Sequence, residues 1–348
     1  MSNETFTGWD IGGAHLKLAN VSHAGRVDLV TQLPLPLWQG IHMLDNSLLE
    51  AKKRLPPAPS IHAITTTAEL VDIFPDRHSG VRIVAEHICD ILGPENIRFY
   101  AGRSGWAGPD TAGRHARDIA SANWHATAAY VAGIVVDGIL LDIGSTTTDV
   151  ILFNDGQVRY LGYTDYERLA SGELVYTGII RTPVMAVTDK APVAGKWQPV
   201  TAELFATMAD VYRLTGELNE QDDMQNTPDG GGKSLVDSAR RLARMFGADL
   251  SGHGSLECWR IVATYLAEVQ LDRINQSFQL VRSRLEGSIN AVLVGAGAGR
   301  FLARKLALLH GLEYVDFADL IDAPVQMKYP ATMAAAAVSV AQLARLQP

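Results

Sequence analysis

The stretch Leu140-Leu141-Asp142-Ile143-Gly144-Ser145-Thr146-Thr147-Thr148-Asp149-Val150-Ile151-Leu152 constrains this chain more than any other. An apolar run ends in an acid. A glycine and four small hydroxyl residues follow, and a second acid opens another apolar run. The pattern predicts a strand, a tight turn and a second strand. Gly144 admits a ligand to the backbone, and the amides of Ser145, Thr146, Thr147 and Thr148 are expected to cradle an anion. Asp142 and Asp149 bracket the turn with oxygen ligands suited to a hard cation such as Mg²⁺.

The device occurs twice. Trp9-Asp10-Ile11-Gly12-Gly13-Ala14-His15-Leu16-Lys17 sets another Asp-Ile-Gly turn between strand-like runs. One such hairpin alone is more often structural. The pair predicts two similar lobes, each offering a phosphate-binding turn to a shared cleft.

Composition narrows the ligand. The net charge is −8 and no basic block is present, which argues against a nucleic-acid partner. Anions must then be held by backbone amides, a metal and a few local cations. The 348 residues, 47% of them hydrophobic, suffice for two lobes with sizeable cores. Cys89 and Cys258 are the two cysteines and stand in unrelated surroundings, so a reducing cytoplasm is expected rather than a disulfide framework. The ten histidines form no metal-ligand pair at helical spacing. The polar start is not expected to be a signal peptide. The Ala-rich stretch 331–346 carries Gln342 and Arg345 and reads as a packed helix, not a membrane span.

Periodicity predicts helices over 40–54, 81–92, 116–136, 202–218, 234–246, 259–285 and 331–346, and late strands over 290–294 and 314–317. Several polar features fall between them. Thr65-Thr66-Thr67-Ala68-Glu69 is either a site edge or the cap of the next helix. Asn123 can face the cleft, whereas His125 on an apolar helix reads as a satisfied core residue. An extended, semi-buried stretch over 166–184 holds Arg168, Glu173, Tyr176, Thr177 and Arg181. Its charges must pair internally or bind a ligand.

Two glycine clusters need a decision. Gly230-Gly231-Gly232-Lys233-Ser234 lacks both the P-loop spacing and a preceding strand. It is read as a loop that brings Lys233 to an anion. Gly295-Ala296-Gly297-Ala298-Gly299-Arg300 is similar to a dinucleotide fingerprint, but Arg300 replaces the third small residue and too little chain follows for a Rossmann sheet. A turn on which ligand lies along Gly295 and Gly297 is the safer expectation.

The two Asp-Ile-Gly turns and the late Val-Gly-Ala-Gly-Ala-Gly turn resemble the phosphate and adenosine motifs of the actin/sugar-kinase/Hsp70 ATPase superfamily. Asp-Ile-Gly-Ser-Thr-Thr-Thr-Asp is especially similar to the hydantoinase/oxoprolinase branch. Ser121-Ala122-Asn123-Trp124, the run from Arg168 to Gly178, Arg181-Thr182-Pro183 and Thr227-Pro228-Asp229-Gly230 resemble the tetrahydromethanopterin-linked one-carbon transfer pathway proteins. These are relatives of the methanofuran-biosynthesis enzyme that joins an aminomethylfuran diphosphate to γ-glutamyltyramine.

The resemblance implies an α/β fold of two ribonuclease H-like lobes around a cleft. They are expected at 1–134 and 135–330, with a largely helical insertion over 166–285 and the 331–346 helix packing back on the first lobe. It also implies a transferase in which a phenol displaces diphosphate from a furfuryl carbon. Asp10 and Asp142 would hold Mg²⁺. Amides of Gly12, Gly13 and 144–147 would bind phosphate oxygens, and Lys17, Arg168, Glu173, Arg181 and Lys233 would complete the ligand shell. Asp149 or Glu69 would take the phenol proton. The partners implied are small molecules, with a homodimer possible. The alternatives are an ATP-dependent hydantoinase-like enzyme or small-molecule kinase, and a non-catalytic nucleotide-sensing protein of the same fold.

Overall fold

The computed structural model describes residues 4–252, 254–285 and 291–347. Strands β1 (Thr5–Ile11), β2 (His15–Ser22) and β3 (Val27–Pro34) form an antiparallel meander. Helix α1 (His42–Lys52) leads to β4 (Ser60–Thr66), and α2 (Arg77–Leu92) leads to β5 (Ile97–Tyr100) and the short β6 (Trp106–Ala107). The sheet order is β3-β2-β1-β4-β5-β6, with β4 parallel to β1 and β5 parallel to β4. Two single-turn helices, α3 (Pro109–Ala112) and α4 (Ala116–Ile119), precede α5 (Asn123–Ala132).

The plan then repeats. Strands β7 (Gly138–Ile143) and β8 (Thr148–Asn154) form the second hairpin, and β9 (Gln157–Arg159) also pairs with β8. Next come α6 (Asp165–Ser171), β10 (Leu174–Val175), the ribbon of β11 (Lys190–Val193) and β12 (Lys196–Pro199), α7 (Met208–Thr215), α8 (Leu235–Arg244) and α9 (Leu256–Arg282). The chain returns through β13 (Val292–Ala296), α10 (Arg300–His310), β14 (Tyr314–Asp316), α11 (Val325–Met333) and α12 (Ala335–Leu346). The second sheet has the order β10-β8-β7-β13-β14, with β13 parallel to β7. Both sheets therefore put an antiparallel hairpin beside parallel strands reached by helical crossovers, which is the ribonuclease H-like arrangement in each lobe. Asn290, expected to open the late strand, lies outside the described residues.

Helices α5 and α12 fill the space between the sheets. Their small side chains join one buried cluster with Phe6 and Val21 of the first sheet and Leu140, Ile151 and Phe153 of the second. A side chain at Gly8 would place its Cβ 1.9 Å from the Ala337 carbonyl oxygen, so α12 packs directly on the β1 backbone. The alanines of α12 are thus the consequence of close helix-on-sheet packing. Among the described residues no helix is long and apolar enough to cross a membrane.

Four expected elements differ. The 116–136 helix is interrupted because Ser121 adopts φ +54°, with its amide on the Thr66 carbonyl and its hydroxyl on Glu69. The 202–218 helix contracts to α7, whose Thr207–Asp210 capping box and left-handed Gly216 set both ends. The 331–346 helix begins only after a break at Ala334. The stretch expected to be extended over 166–184 opens as α6, capped by Thr164 and Glu167. That Thr-x-x-Glu signature is present in the sequence, four residues before Arg168.

Candidate active site

The two Asp-Ile-Gly turns have the same construction. The Gly12 amide donates to the His15 carbonyl and the Gly144 amide to the Thr147 carbonyl, each at 2.9 Å. These two amides close their hairpins and do not face a ligand, which corrects their expected role as phosphate donors. The carbonyls of the second turn are occupied too. Ile179 donates to Gly144, and Ile180 and Arg181 donate to Ser145. Among the described residues no backbone acceptor takes the amides of Gly13, Ser145, Thr146 or Thr147. Those amides are left for an anion. Gly178 lets residues 178–181 lie on the turn, since a Cβ there would stand 2.4 Å from the Thr146 nitrogen.

Both turns line one cavity of about 330 Å³ between the lobes. Asp10, Gly12, Gly13, Lys17, Asp142, Gly144, Ser145, Thr146, Thr147, Asp149, Arg168, Arg181 and Gly297 all reach it, as does Asn123. The register explains the grouping. Asp10 faces Lys17 across β1 and β2, and Asp142 faces Asp149 across β7 and β8. The two hairpins thus carry an acid–base pair in one lobe and an acid–acid pair in the other.

Burial first, and the acid excess second, shift the carboxyls. Desolvation pushes Asp142 up to about 7, with Asp149 adding repulsion. Desolvation also raises Asp10, against the pull of Lys17, whose Nζ stands 3.8 Å from Asp10 Oδ2. Asp149 is raised by desolvation despite the Arg168 guanidinium 2.8 Å away. His15 is held neutral, its value lowered to about 4 by burial and then by Lys17 and Arg181. Its ring meets the Gln225 amide at 2.9 Å, which ties the first turn to the loop after α7.

Four expected residues do not line the cavity. Glu173 accepts from the amides of Leu161 and Gly162 and pairs with Arg284, so it ties the loop after β9 to the segment that follows α9. Lys233 binds the Asp223 carbonyl and carboxylate. At Gly295 the space for a side chain is taken by Tyr314. Gly297 does reach the cavity, yet a Cβ there would lie 2.6 Å from Asp142 Oδ1. Arg300 and Asp316 pair with each other at 3.1 Å. The late glycines therefore admit the protein's own side chains and seat Asp142.

Glu69, the fourth, is 2% exposed and sits behind Ser121, whose hydroxyl donates to its Oε1 at 2.9 Å. Its Oε2 has no partner among the described residues. Burial raises this carboxyl to about 7. A carboxyl raised from 4.5 to about 7 gives stability that is complete below pH 4.5 and is lost as the pH rises through 7. Glu69→Gln should therefore lie within about 1 kcal/mol of the wild type at pH 5 and exceed it by about 3 kcal/mol at pH 8. Urea midpoints at the two pH values measure this, and parallel pH dependences would show that Glu69 does not titrate in that window.

Asp165 and Asp222 also line the cavity and were not singled out in the sequence. Asp165 is the first residue of α6, and Asp222 is held by the Tyr329 hydroxyl from α11. Asp165 sits inside the Thr164–Glu167 capping box but nothing local marks it as a site residue, and Asp222 is brought here by packing against the distant Tyr329.

The hydantoinase/oxoprolinase family description matches residues 61–345. The chain belongs to the hydantoinase/oxoprolinase family. Within it, the chain is 31% identical over 243 residues to the Methanocaldococcus jannaschii protein named (4-{4-[2-(gamma-L-glutamylamino)ethyl]phenoxymethyl}furan-2-yl)methanamine synthase, covering 70% of this chain and 71% of that protein. The Methanococcus vannielii protein of the same name is 32% identical over 159 residues, 46% of this chain and 70% of that one. A nucleotide-free acetone carboxylase structure shares the fold with a TM-score of 0.53 at 12% identity, over 87% of this chain and 66% of that one. The family match spans the second Asp-Ile-Gly turn, the polar run after it and the late glycine turn. It does not include the first hairpin, whose turn lines the same cavity.

Proposed function

We propose that this chain is a transferase that joins an aminomethylfuran diphosphate to the phenol of γ-glutamyltyramine and releases diphosphate. The observation that carries the reading is the pairing of two open amide turns with three enclosed carboxylates in one cavity, in a chain similar to two synthases of that ether. In the reaction the phenol oxygen forms a bond to the furfuryl carbon. The bond from that carbon to the diphosphate oxygen breaks, and the phenol proton goes to a protein base.

The donor set fits a hard divalent cation. Asp10, Asp142 and Asp149 are short of positive partners, with Lys17 and Arg168 the cations beside them. Among the described residues no three His, Cys, Asp or Glu converge as a complete metal cluster. That suits Mg²⁺, which takes one or two carboxylates and fills its shell with water and phosphate oxygen. Asp10 and Asp142 are the ligands we assign, and the ion would neutralise charge on the leaving diphosphate. The amides of Gly13 and 145–147 hold phosphate oxygens at fixed positions, where their dipoles favour the charge that grows on the leaving group. Asp149, oriented by Arg168 and made more basic by its enclosed setting, accepts the phenol proton. Glu69 is screened from the cavity by Ser121 and is not the base in this reading.

The test is purified protein with Mg²⁺, the furan diphosphate and γ-glutamyltyramine, followed by mass spectrometry and a diphosphate assay. Ether and diphosphate in equal amounts without ATP are expected. Formation of ADP from ATP, without ether, would move the chain to the ATP-dependent branch.

A further inference from the structure

A second cavity, of about 210 Å³, adjoins the first and shares Ile180 and Arg181 with it. Its walls come from the start of α7 and from the loop that follows Asp223. The charges deep in that wall are committed. Asp210 is held by Arg241 at 2.7 Å and by the Ser238 hydroxyl, and Asp223 is held by Arg213 at 2.7 Å and by Lys233. Arg181 differs. Its amide is fixed on the Ser145 carbonyl at 2.8 Å, so its position is tied to the phosphate turn. Yet among the described residues its guanidinium has neither hydrogen-bond acceptor nor ion-pair partner. Asn226, on the same wall, likewise makes no side-chain hydrogen bond among the described residues. Leu204 and Pro228 supply apolar surface beside them.

We infer that this second cavity binds the carboxylate-bearing amide tail of the acceptor, with Arg181 on the carboxylate and Asn226 on the amide. The inference rests on the ether-forming reading and extends it to the specificity of the acceptor. Diphosphate at the two turns fixes the furfuryl carbon in the first cavity, so the phenol must enter there. The acceptor's other end then has to leave the first cavity. The second cavity opens beside it, and the one guanidinium that borders both is unpaired among the described residues. A planar fork suits a carboxylate through two parallel hydrogen bonds. The apolar wall fits the methylene chain of the tail.

Two variants and two readouts test this. Calorimetry with Mg²⁺ and diphosphate present measures binding of γ-glutamyltyramine and, separately, of diphosphate. Arg181→Ala and the cavity-filling Asn226→Trp should each weaken γ-glutamyltyramine binding by about 10- to 100-fold, a charged hydrogen bond being of that size. Diphosphate binding should change less than about threefold. In turnover, the wild type should prefer γ-glutamyltyramine to tyramine, and both variants should erase that preference through KM. Equal loss for the two acceptors, or loss of diphosphate binding in Arg181→Ala, would assign Arg181 to the phosphates and overturn the inference. Retained γ-glutamyltyramine affinity in both variants would overturn it as well. If no ether forms but γ-glutamyltyramine binding still depends on both residues, the tail site stands and the ether-forming reading falls.

Discussion

Asp142→Asn is expected to lower diphosphate release by about a thousandfold, or about 4 kcal/mol of transition-state stabilisation. Asparagine fills the same volume at the end of β7, so the turn and its amides stay in place. What disappears is the negative charge that would hold a cation against the leaving group. The fold should not suffer. Asp142 is pushed up to about 7 by desolvation and by Asp149 across the hairpin, so its ionised form is disfavoured in the folded protein. Stability from such a group is present below the ordinary value of 3.8 and is lost as the pH rises through about 7. The neutral amide escapes that loss. The variant should therefore be inactive at pH 8 while unfolding at an equal or higher urea concentration than the metal-free wild type. Mg²⁺ should stabilise the wild type at pH 8 and leave the variant unchanged. Turnover near the wild-type rate would remove Asp142 from the site, and a destabilised variant would show that its carboxylate has a structural role instead.

How far the sequence reached depended on the range of the interactions involved. The hairpins were legible because strand–turn–strand is a local pattern and a repeated Asp-Ile-Gly is improbable without a shared plan. From them followed two lobes with a cleft and the gathering of Asp10, Lys17, Asp142 and Asp149. The late glycines were harder. Their spacing reads as ligand approach, whereas they are filled by Tyr314, Asp142 and Ile143. Glycine marks a close approach but does not say by what. Lys233 and Glu173 are polar residues in promising company, yet each is satisfied by a partner 10 or 111 positions away, Asp223 and Arg284 respectively. No local rule supplies such partners. Asp165 and Asp222 escaped notice for the same reason, since only tertiary packing turns them into the cavity.

Arg168→Met should lower stability by about 3 kcal/mol at pH 8. Arg168 is 1% exposed, and its guanidinium lies 4.1 Å from the Trp124 ring centroid. One of its amino groups reaches both Asp149 Oδ1, at 2.8 Å, and the Glu173 carbonyl, at 2.9 Å. Methionine can cover Trp124 but leaves Asp149 enclosed without its counter-charge. The Asp149 carboxyl, already raised by burial, would move further up once the Arg168 charge is gone. The deficit should accordingly be small at pH 5 and grow towards pH 8. Removing the stranded charge provides the control. Arg168→Met combined with Asp149→Asn should recover more than half of the lost stability at pH 8, although both forms should lack activity. A double variant as unstable as Arg168→Met alone would mean that packing on Trp124, and not the buried ion pair, is what Arg168 supplies. Recovery would instead tie the second Asp-Ile-Gly hairpin to α6 through one charge pair, so that the proposed base and the helix that orients it are stabilised by the same contact.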